Sequence, residues 1–146
     1  MNRQEFAHIF PYNEEVVWLQ KRDDIIGIFD PGMIGAIGGH REPEDDTLLM
    51  TAQRELEEET NIFVPESALC FGGLIVARKR IAPDGRLVTK YVKSYTLSVP
   101  NDLVVSCYDG QGAVPIRRGD ELPDNVTDIT KKELGKLFPN WFGSVS

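Results

Sequence analysis

The chain has 146 residues, of which 41% are hydrophobic, and it carries a formal net charge of −7 with an isoelectric point near 4.8. This length accommodates one substantial core, so we expect a single domain over residues 1–146. The acidic balance argues against nucleic acid as a partner, because phosphate backbones are bound by basic surfaces.

The early part of the chain predicts a hairpin, then a loop and a short strand. An apolar, β-prone run covers residues 5–12, and Asn13 interrupts it before a second run over residues 15–22. Glycine and proline then divide residues 23–39 into short apolar pieces. This composition predicts a loop followed by a strand that ends at Gly38 and Gly39.

An acidic segment, GGHREPEDDTLLMTAQRELEEETNI, follows at residues 38–62. Asp46 and Thr47 have short side chains that suit the N-cap of a helix, which we expect to run to about Thr60. Asn61 suits a left-handed C-terminal cap. An apolar stripe at helical spacing should face the core and comprises Leu48, Leu49, Ala52 and Leu56.

The same helix carries a cluster of carboxylates on another side. Glu55, Glu58 and Glu59 are three and four residues apart, so their side chains project from neighbouring turns. Their mutual repulsion costs about a few tenths of a kcal/mol per pair, which a bound divalent cation would reverse. A solvated helix surface is the more common explanation of an isolated acidic run, so the surrounding pattern decides.

The rest of the chain predicts a longer hairpin, a short strand and a closing helix. Residues 68–80 and 87–99 flank the turn-forming sequence APDGR. AVPIRR at 113–118 fits a strand, and DITKKELGKLF at 128–138 fits a helix. Strands mixed with an intervening helix indicate an α/β or α+β sandwich of two or three layers.

Gly39, the acidic loop and RELEEETNI together resemble the signature of the Nudix hydrolases. In that signature a glycine and a spaced acid precede Arg-Glu-apolar-any-Glu-Glu-any-Gly-apolar. The residues that match are Arg54, Glu55, Leu56, Glu58, Glu59 and Ile62. The resemblance implies an α/β fold of the Nudix type, an α/β/α sandwich in which a mixed β-sheet lies between helices.

Two positions depart from the family pattern. Asn61 replaces the usual glycine, although asparagine tolerates the left-handed conformation. The separation of Gly39 and Arg54 exceeds the family spacing by one residue, so strict counting places His40 at the glycine and Asp46 at the acid. We expect instead that an extra residue is accommodated within residues 43–45, with Gly39 in its family position and Asp46 as the acid.

The resemblance implies hydrolysis of a pyrophosphate bond in a nucleoside diphosphate linked to another group, such as a nucleotide sugar, with Mg²⁺ or alternatively Mn²⁺ as cofactor. Glu58 and Glu59 would bind the metal, and Glu55 would be a further ligand or the general base. Arg54 would orient these carboxylates, and the Gly39 carbonyl would be another ligand.

A nucleoside triphosphate pyrophosphohydrolase and a non-catalytic ligand-binding module of the same fold are the alternatives. Retention of Arg54 and the three glutamates disfavours the binding module. The oligomeric state stays open, with a homodimer as one option.

Several residues outside the signature have two interpretations. Asp109, beside glycines, is either a further catalytic and metal-binding acid or a plain turn residue. The basic residues of the second hairpin either bind phosphate or, more commonly, are exposed charges: Arg78, Lys79, Arg80, Lys90 and Lys93. Aromatic side chains that either stack on a base or, more commonly, fill the core are Tyr12, Trp18 and Tyr95. His8 and His40 lack metal-ligand spacing.

The sequence also indicates a cytoplasmic protein without a membrane partner. No apolar run approaches the length that crosses a bilayer, and the first 15 residues lack the apolar stretch of a signal peptide. Cys70 and Cys107 have no partner at metal-ligand spacing and fit buried free thiols in a reducing compartment.

Overall fold

The computed structural model describes residues 2–24, 28–108 and 110–143. The described residues contain seven strands, two α-helices and a short 3₁₀ helix. The strands are β1 Asn2–Tyr12, β2 Val16–Lys21, β3 Ile34–Gly35, β4 Ile37–His40, β5 Cys70–Ile81, β6 Leu87–Ser98 and β7 Ala113–Arg117. The helices are α1 Leu48–Glu59 and α2 Asp128–Leu137, with the 3₁₀ helix at Glu66–Ala68. Both predicted hairpins, the acidic helix, the late strand and the closing helix are confirmed.

The seven strands form one mixed sheet. Its main order is β3-β2-β1-β6-β5, with β4 also paired to β1 and β7 to β2. β1 runs parallel to β6, in register from Asn2 opposite Val88 to Tyr12 opposite Ser98. The other pairings are antiparallel. The first strand of the chain is therefore central in the sheet.

The two hairpin turns follow from short polar side chains that bond to their own backbone. The Asn13 side chain accepts hydrogen bonds from the backbone N–H groups of Glu15 (2.8 Å) and Val16 (3.0 Å). In the second turn, the Asp84 carboxylate accepts from the backbone N–H of Arg86 at 3.1 Å. These local bonds explain why sequence reasoning located both hairpins.

Helix α1 begins where expected and ends differently. The Thr47 hydroxyl accepts a hydrogen bond from the Met50 backbone N–H at 3.2 Å, which caps the helix. The expected left-handed conformation of Asn61 is wrong, since its φ angle is not positive. Thr60 instead leaves the helix with extended backbone and forms a β-bridge with Cys107. The Asn61 side chain is used elsewhere, because its Oδ1 accepts from the Ser106 N–H at 2.9 Å.

Two hydrophobic clusters lie on opposite faces of the sheet. Successive residues of β1 alternate between them, because strand side chains point alternately up and down. Ala7 and Ile9 pack with α1, whereas Phe10 packs with α2. One helix thus covers each face, which confirms the α/β/α arrangement.

The aromatic residues fill these clusters, as their more common interpretation predicts. Trp18 and Tyr95 are buried, and the Tyr12 ring lies 5.3 Å from that of Phe138. The expected burial of both cysteines is wrong for Cys70, which is exposed at the start of the edge strand β5, and Cys107 is only partly buried. Among the described helices, none has the length and apolar character needed to cross a membrane.

Candidate active site

The acidic side of α1 packs against the end of β4. A Cβ atom on Gly39 would lie 2.5 Å from Oε1 of Glu55 and 2.6 Å from its carboxyl carbon. Glycine at this position therefore lets the Glu55 carboxylate rest directly against the strand. The neighbouring Gly38 donates its backbone N–H to Oε2 of Glu59 at 3.3 Å. These two glycines connect the strand with two of the three expected carboxylates.

Arg54 lies at the centre of the acidic cluster. Its Nε and Nη2 donate to the two carboxylate oxygens of Asp45 at 3.2 and 2.8 Å. Its Nη1 donates to Oε1 of Glu55 and to Oε2 of Glu58, each at 3.2 Å. Nη2 also donates to the carbonyl of His40 at 3.3 Å. One guanidinium thus contacts three acids, the geometry expected of a residue that orients them.

The loop acid that binds Arg54 is Asp45, so the expectation that Asp46 takes this position is wrong. Asp45 is buried, and its Oδ2 also accepts from the Thr51 hydroxyl at 2.8 Å and from the Glu42 N–H at 3.0 Å. Asp46 is exposed, and its backbone carbonyl accepts from Arg41. The Arg54 guanidinium holds the pKa of the Asp45 carboxyl well below its usual range.

The contact between Arg54 and Asp45 also changes where the extra residue of the signature is assigned. The interval from Gly39 to Asp45 equals the family interval that strict counting laid from His40 to Asp46. Gly39 therefore keeps its position, and the insertion follows Asp45 instead of lying within residues 43–45. The sequence spacing is compatible with this alignment, but it does not distinguish between the two adjacent aspartates, Asp45 and Asp46.

The three glutamates differ in their surroundings. Glu55 and Glu59 are each 9% exposed, whereas the Glu58 side chain is 58% exposed. Burial raises the pKa of the Glu55 carboxyl, an effect that Arg54 opposes and that the nearby Glu58 charge reinforces. Burial therefore disfavours the charged form of Glu55, and a bound cation would stabilise that form.

The donor chemistry of the cluster fits a hard divalent cation, since Mg²⁺ prefers carboxylate oxygens. Across the described ranges, however, no three His, Cys, Asp or Glu side chains are grouped so that they could hold a metal ion. Arg54 Nη1 occupies oxygens of both Glu55 and Glu58. Arg54 thus engages one oxygen of the exposed Glu58 carboxylate, Oε2. Asp109 lies outside the described residues, so its role stays a prediction, as does ligation by the Gly39 carbonyl.

A cavity of about 350 Å³ opens beside the cluster. Its floor includes Phe6 and His8 of β1, which pair with His40 and Gly38 of β4. Glu59 belongs to both the cluster and the cavity wall. The structure thus places one of the predicted site carboxylates next to a space that a substrate could fill.

Lys90 is the residue that sequence reasoning undervalued. The sequence places it among the basic residues of the second hairpin, for which exposure is the more common interpretation. Arg78 is exposed as expected, but Lys90 is 7% exposed and lines the cavity. The Lys79 side chain is outside the described part of the chain. No local pattern separates Lys90 from its neighbours, because its aromatic partners Phe6 and Phe29 are distant in sequence.

Comparison with known proteins agrees with this geometry. The family model for the NUDIX domain matches residues 1–98. The chain belongs to the Nudix family. Its signature segment is altered, with the extra residue after Asp45 and with Asn61 in place of glycine.

Solved structures show the same fold for this Nudix chain. A MutT NUDIX hydrolase from Burkholderia pseudomallei superposes with a TM-score of 0.70 at 15% identity, covering 94% of this chain and 99% of that one. A MutT/nudix family protein from Enterococcus faecalis gives 0.62 at 16% identity, covering 82% and 45%. A bifunctional NMN adenylyltransferase/ADP ribose pyrophosphatase from Francisella tularensis, complexed with AMP and a manganese ion, gives 0.60 at 17% identity, covering 95% and 38%. The chain therefore spans less than half the length of the last two. No curated protein matches the sequence.

Proposed function

We propose that this Nudix protein hydrolyses a pyrophosphate bond in a nucleoside diphosphate linked to a second group, with Mg²⁺ or Mn²⁺ as cofactor. The position of Glu59 carries the proposal, because its carboxylate joins the acidic cluster and also lines the cavity. A substrate in the cavity would have its pyrophosphate beside the carboxylates. The Francisella relative, an ADP ribose pyrophosphatase, makes ADP-ribose the first compound to try.

The proposed roles follow the contacts in the cluster. Glu58 and Glu59 would bind the metal, with the Gly39 carbonyl and Asp109 as further proposed ligands. When bound, the cation would neutralise charge on the pyrophosphate and activate the attacking water. Glu55, fixed between Gly39 and Arg54, would serve as a further ligand or as the general base. Arg54 would keep these carboxylates oriented.

We also propose that the functional domain covers residues 1–146, beyond the matched region. β7 pairs with β2, and α2 covers the sheet face opposite α1. Glu133 of α2 ties this face together, because its fully buried carboxylate accepts hydrogen bonds from His8 Nδ1 at 2.8 Å and from the Ser94 hydroxyl. His8 lines the cavity, so residues after position 98 support its wall.

A nucleoside triphosphate is the close alternative to a linked nucleoside diphosphate as the substrate. A ligand-binding module without hydrolysis is the second candidate function. In its favour, Nη1 of Arg54 already donates to one oxygen of Glu55 and to one oxygen of Glu58. Such a module would bind nucleotides in the cavity and leave them intact.

Substitution of single glutamates in α1 tests the proposal. We expect Glu58→Gln and Glu59→Gln to lower kcat by on the order of a thousandfold, because each removes a metal ligand. The measurement is a screen with Mg²⁺ or Mn²⁺ across ADP-ribose, a nucleotide sugar and ATP, with the products identified. Thermal unfolding should show that both variants fold.

Glu57→Gln is the matched control. Glu57 is exposed on the same helix turn, and the variant removes the same charge without touching the cluster. Its kcat should equal that of the wild type. Full activity in a chelator, or equal loss in all three variants, would overturn the catalytic assignment. Nucleotide binding without turnover would favour the binding module.

A further inference from the structure

Lys90 is a buried cation that lines the cavity. Its Nζ lies 3.7 Å from the centre of the Phe29 ring and 4.7 Å from that of Phe6. Among the ion pairs formed by the described residues, none involves Lys90. Arg22 fixes part of this platform, since its Nε donates to the Phe29 carbonyl at 2.7 Å. The ammonium group therefore rests on two aromatic faces at the wall of the cavity.

Stability does not explain this ammonium group. Burial of an unpaired charge is unfavourable, and cation–π contacts offset only part of the cost. Burial lowers the pKa of Lys90 to about 8, while the charge of Asp30 opposes this shift. A methionine of similar shape would fill the same space without a charge. The positive charge is thus available to an anion that enters the cavity.

We propose that Lys90 forms an anion subsite that binds a phosphate group of the substrate directly, without the metal. The inference rests on the proposed function and deepens it, because it gives the phosphate-bearing substrate a contact contributed by the protein alone. Glu59 lies on the wall of the same cavity. The two residues supply opposite charges there, so the carboxylate would attract the cation and the ammonium would attract a phosphate oxygen.

Calorimetric titration with ADP-ribose in EDTA tests the subsite, because the chelator separates binding from hydrolysis. We expect Lys90→Met to raise the Kd roughly tenfold or more, because a charge-assisted hydrogen bond is lost. Lys90→Arg should keep most of the affinity. Inorganic pyrophosphate is the second probe, because it tests anion binding even if the cavity does not accept the adenine group of ADP-ribose. Equal affinity of wild type and Lys90→Met for both probes, or no binding of either probe to the wild type, would overturn the proposal.

Lys93→Met is the matched control on the same strand. Lys93 is half-buried, does not line the cavity, and has its Nζ 6.0 Å from the Phe71 ring centre. The variant should bind ADP-ribose as the wild type does. A loss equal to that of Lys90→Met would show that general charge, and not the cavity position, determines affinity.

The pH dependence of the same titration gives a second readout, which decides the matter if Lys90→Met fails to fold. Wild-type affinity should fall as pH rises through about 8, because the ammonium loses its proton there. The affinity of Lys90→Arg should not change with pH over this range, since arginine stays charged and the pyrophosphate of ADP-ribose has no group that titrates there. The other charged groups that act on Lys90 are Asp30, Glu133, Arg22 and Arg80. Identical profiles would overturn the proposal.

The outcomes separate this inference from the proposed function. If binding depends on Lys90 but no compound is hydrolysed, the subsite stands and the catalytic assignment fails. If hydrolysis occurs but Lys90→Met binds both probes like the wild type, only the subsite is wrong.

Discussion

Asp45 determines how Arg54 is held, and through Arg54 how two glutamates are placed. Its two oxygens accept a forked pair of hydrogen bonds from the guanidinium. Because Asp45 is buried, removing its charge would leave Arg54 without its main partner. A loop residue outside α1 therefore supports the geometry of the cluster.

We expect Asp45→Asn to reduce the free energy of unfolding by about 2–4 kcal/mol, whereas Asp46→Asn should change it by less than about 0.5 kcal/mol. Denaturant unfolding measures both. The Asp45 pKa is lowered in the folded state, so its contribution is present above the unfolded value near 3.9 and is lost as pH falls. The difference between wild type and Asp45→Asn should therefore shrink below about pH 4. A larger effect at Asp46 would show that Asp46, and not Asp45, is the acid of the signature.

Local periodicity is why part of the site could be predicted. The contact of Arg54 with Glu58 follows from their separation of four residues along a single helix. The contact with Asp45 depends on how a loop folds back, and the aromatic contacts of Lys90 come from Phe6 and Phe29, which are distant in sequence. Sequence spacing contains neither kind of information.

At the scale of elements, β4 presents its two glycines to different neighbours. A Cβ on Gly38 would lie 2.0 Å from the Ala7 carbonyl oxygen, and its φ of +145° is unfavourable for other residues. A Cβ on Gly39 would meet the movable end of the Glu55 side chain. The first glycine therefore permits strand pairing, and the second permits placement of a carboxylate.

This difference predicts separate losses for two variants. Gly38→Ala should destabilise the fold by about 3 kcal/mol or more, since rigid backbone blocks the added methyl. Gly39→Ala should keep the fold within about 1–2 kcal/mol but lower kcat at least ~10-fold, because Glu55 is displaced. Thermal unfolding and kinetics measure the two effects. Gly35→Ala is the control, because the nearest atom lies 3.8 Å away. Full activity in Gly39→Ala would contradict the role of Glu55.

The hairpins and helix α1 were predictable because their signals are local. Asn13 and the APDGR turn bond to their own backbone, and Thr47 caps its own helix. The parallel pairing of β1 with β6 was not predictable, since no turn joins them and both strands have other antiparallel partners. The helix end at Thr60 was missed for a similar reason, because its bridge partner Cys107 is distant in sequence.

At the scale of the whole molecule, the family match at residues 1–98 leaves out four of the nine buried residues of the second hydrophobic cluster, the one that packs with α2. Phe10, Val17 and Leu19 are fully buried in that cluster. Their cover comes mainly from residues after position 98, including Ile116, Val126, Leu134 and Phe138. The matched region alone would leave one face of its sheet uncovered.

We therefore expect a chain of residues 1–98 not to fold. Exposure of three large apolar side chains costs about 1.5–3 kcal/mol each, which approaches the whole stability of an ordinary domain. Circular dichroism and amide dispersion in NMR spectra measure the outcome. A chain of residues 1–138 keeps β7 and α2 and should fold. Cooperative unfolding of the 1–98 chain would show that the later elements are an accessory to an independent domain.

The parallel pairing of β1 with β6 has a consequence for the order of events in folding. Each residue of β1 pairs with one that lies 86 positions later, from Asn2 with Val88 to Tyr12 with Ser98. Loop closure over such a distance must be completed before these contacts can form, and topologies of this kind fold in milliseconds to seconds. On a ribosome, the central strand would wait with one edge unpaired while most of the chain is synthesised. Chaperones that shield strand edges should therefore matter more to this protein than its modest size suggests.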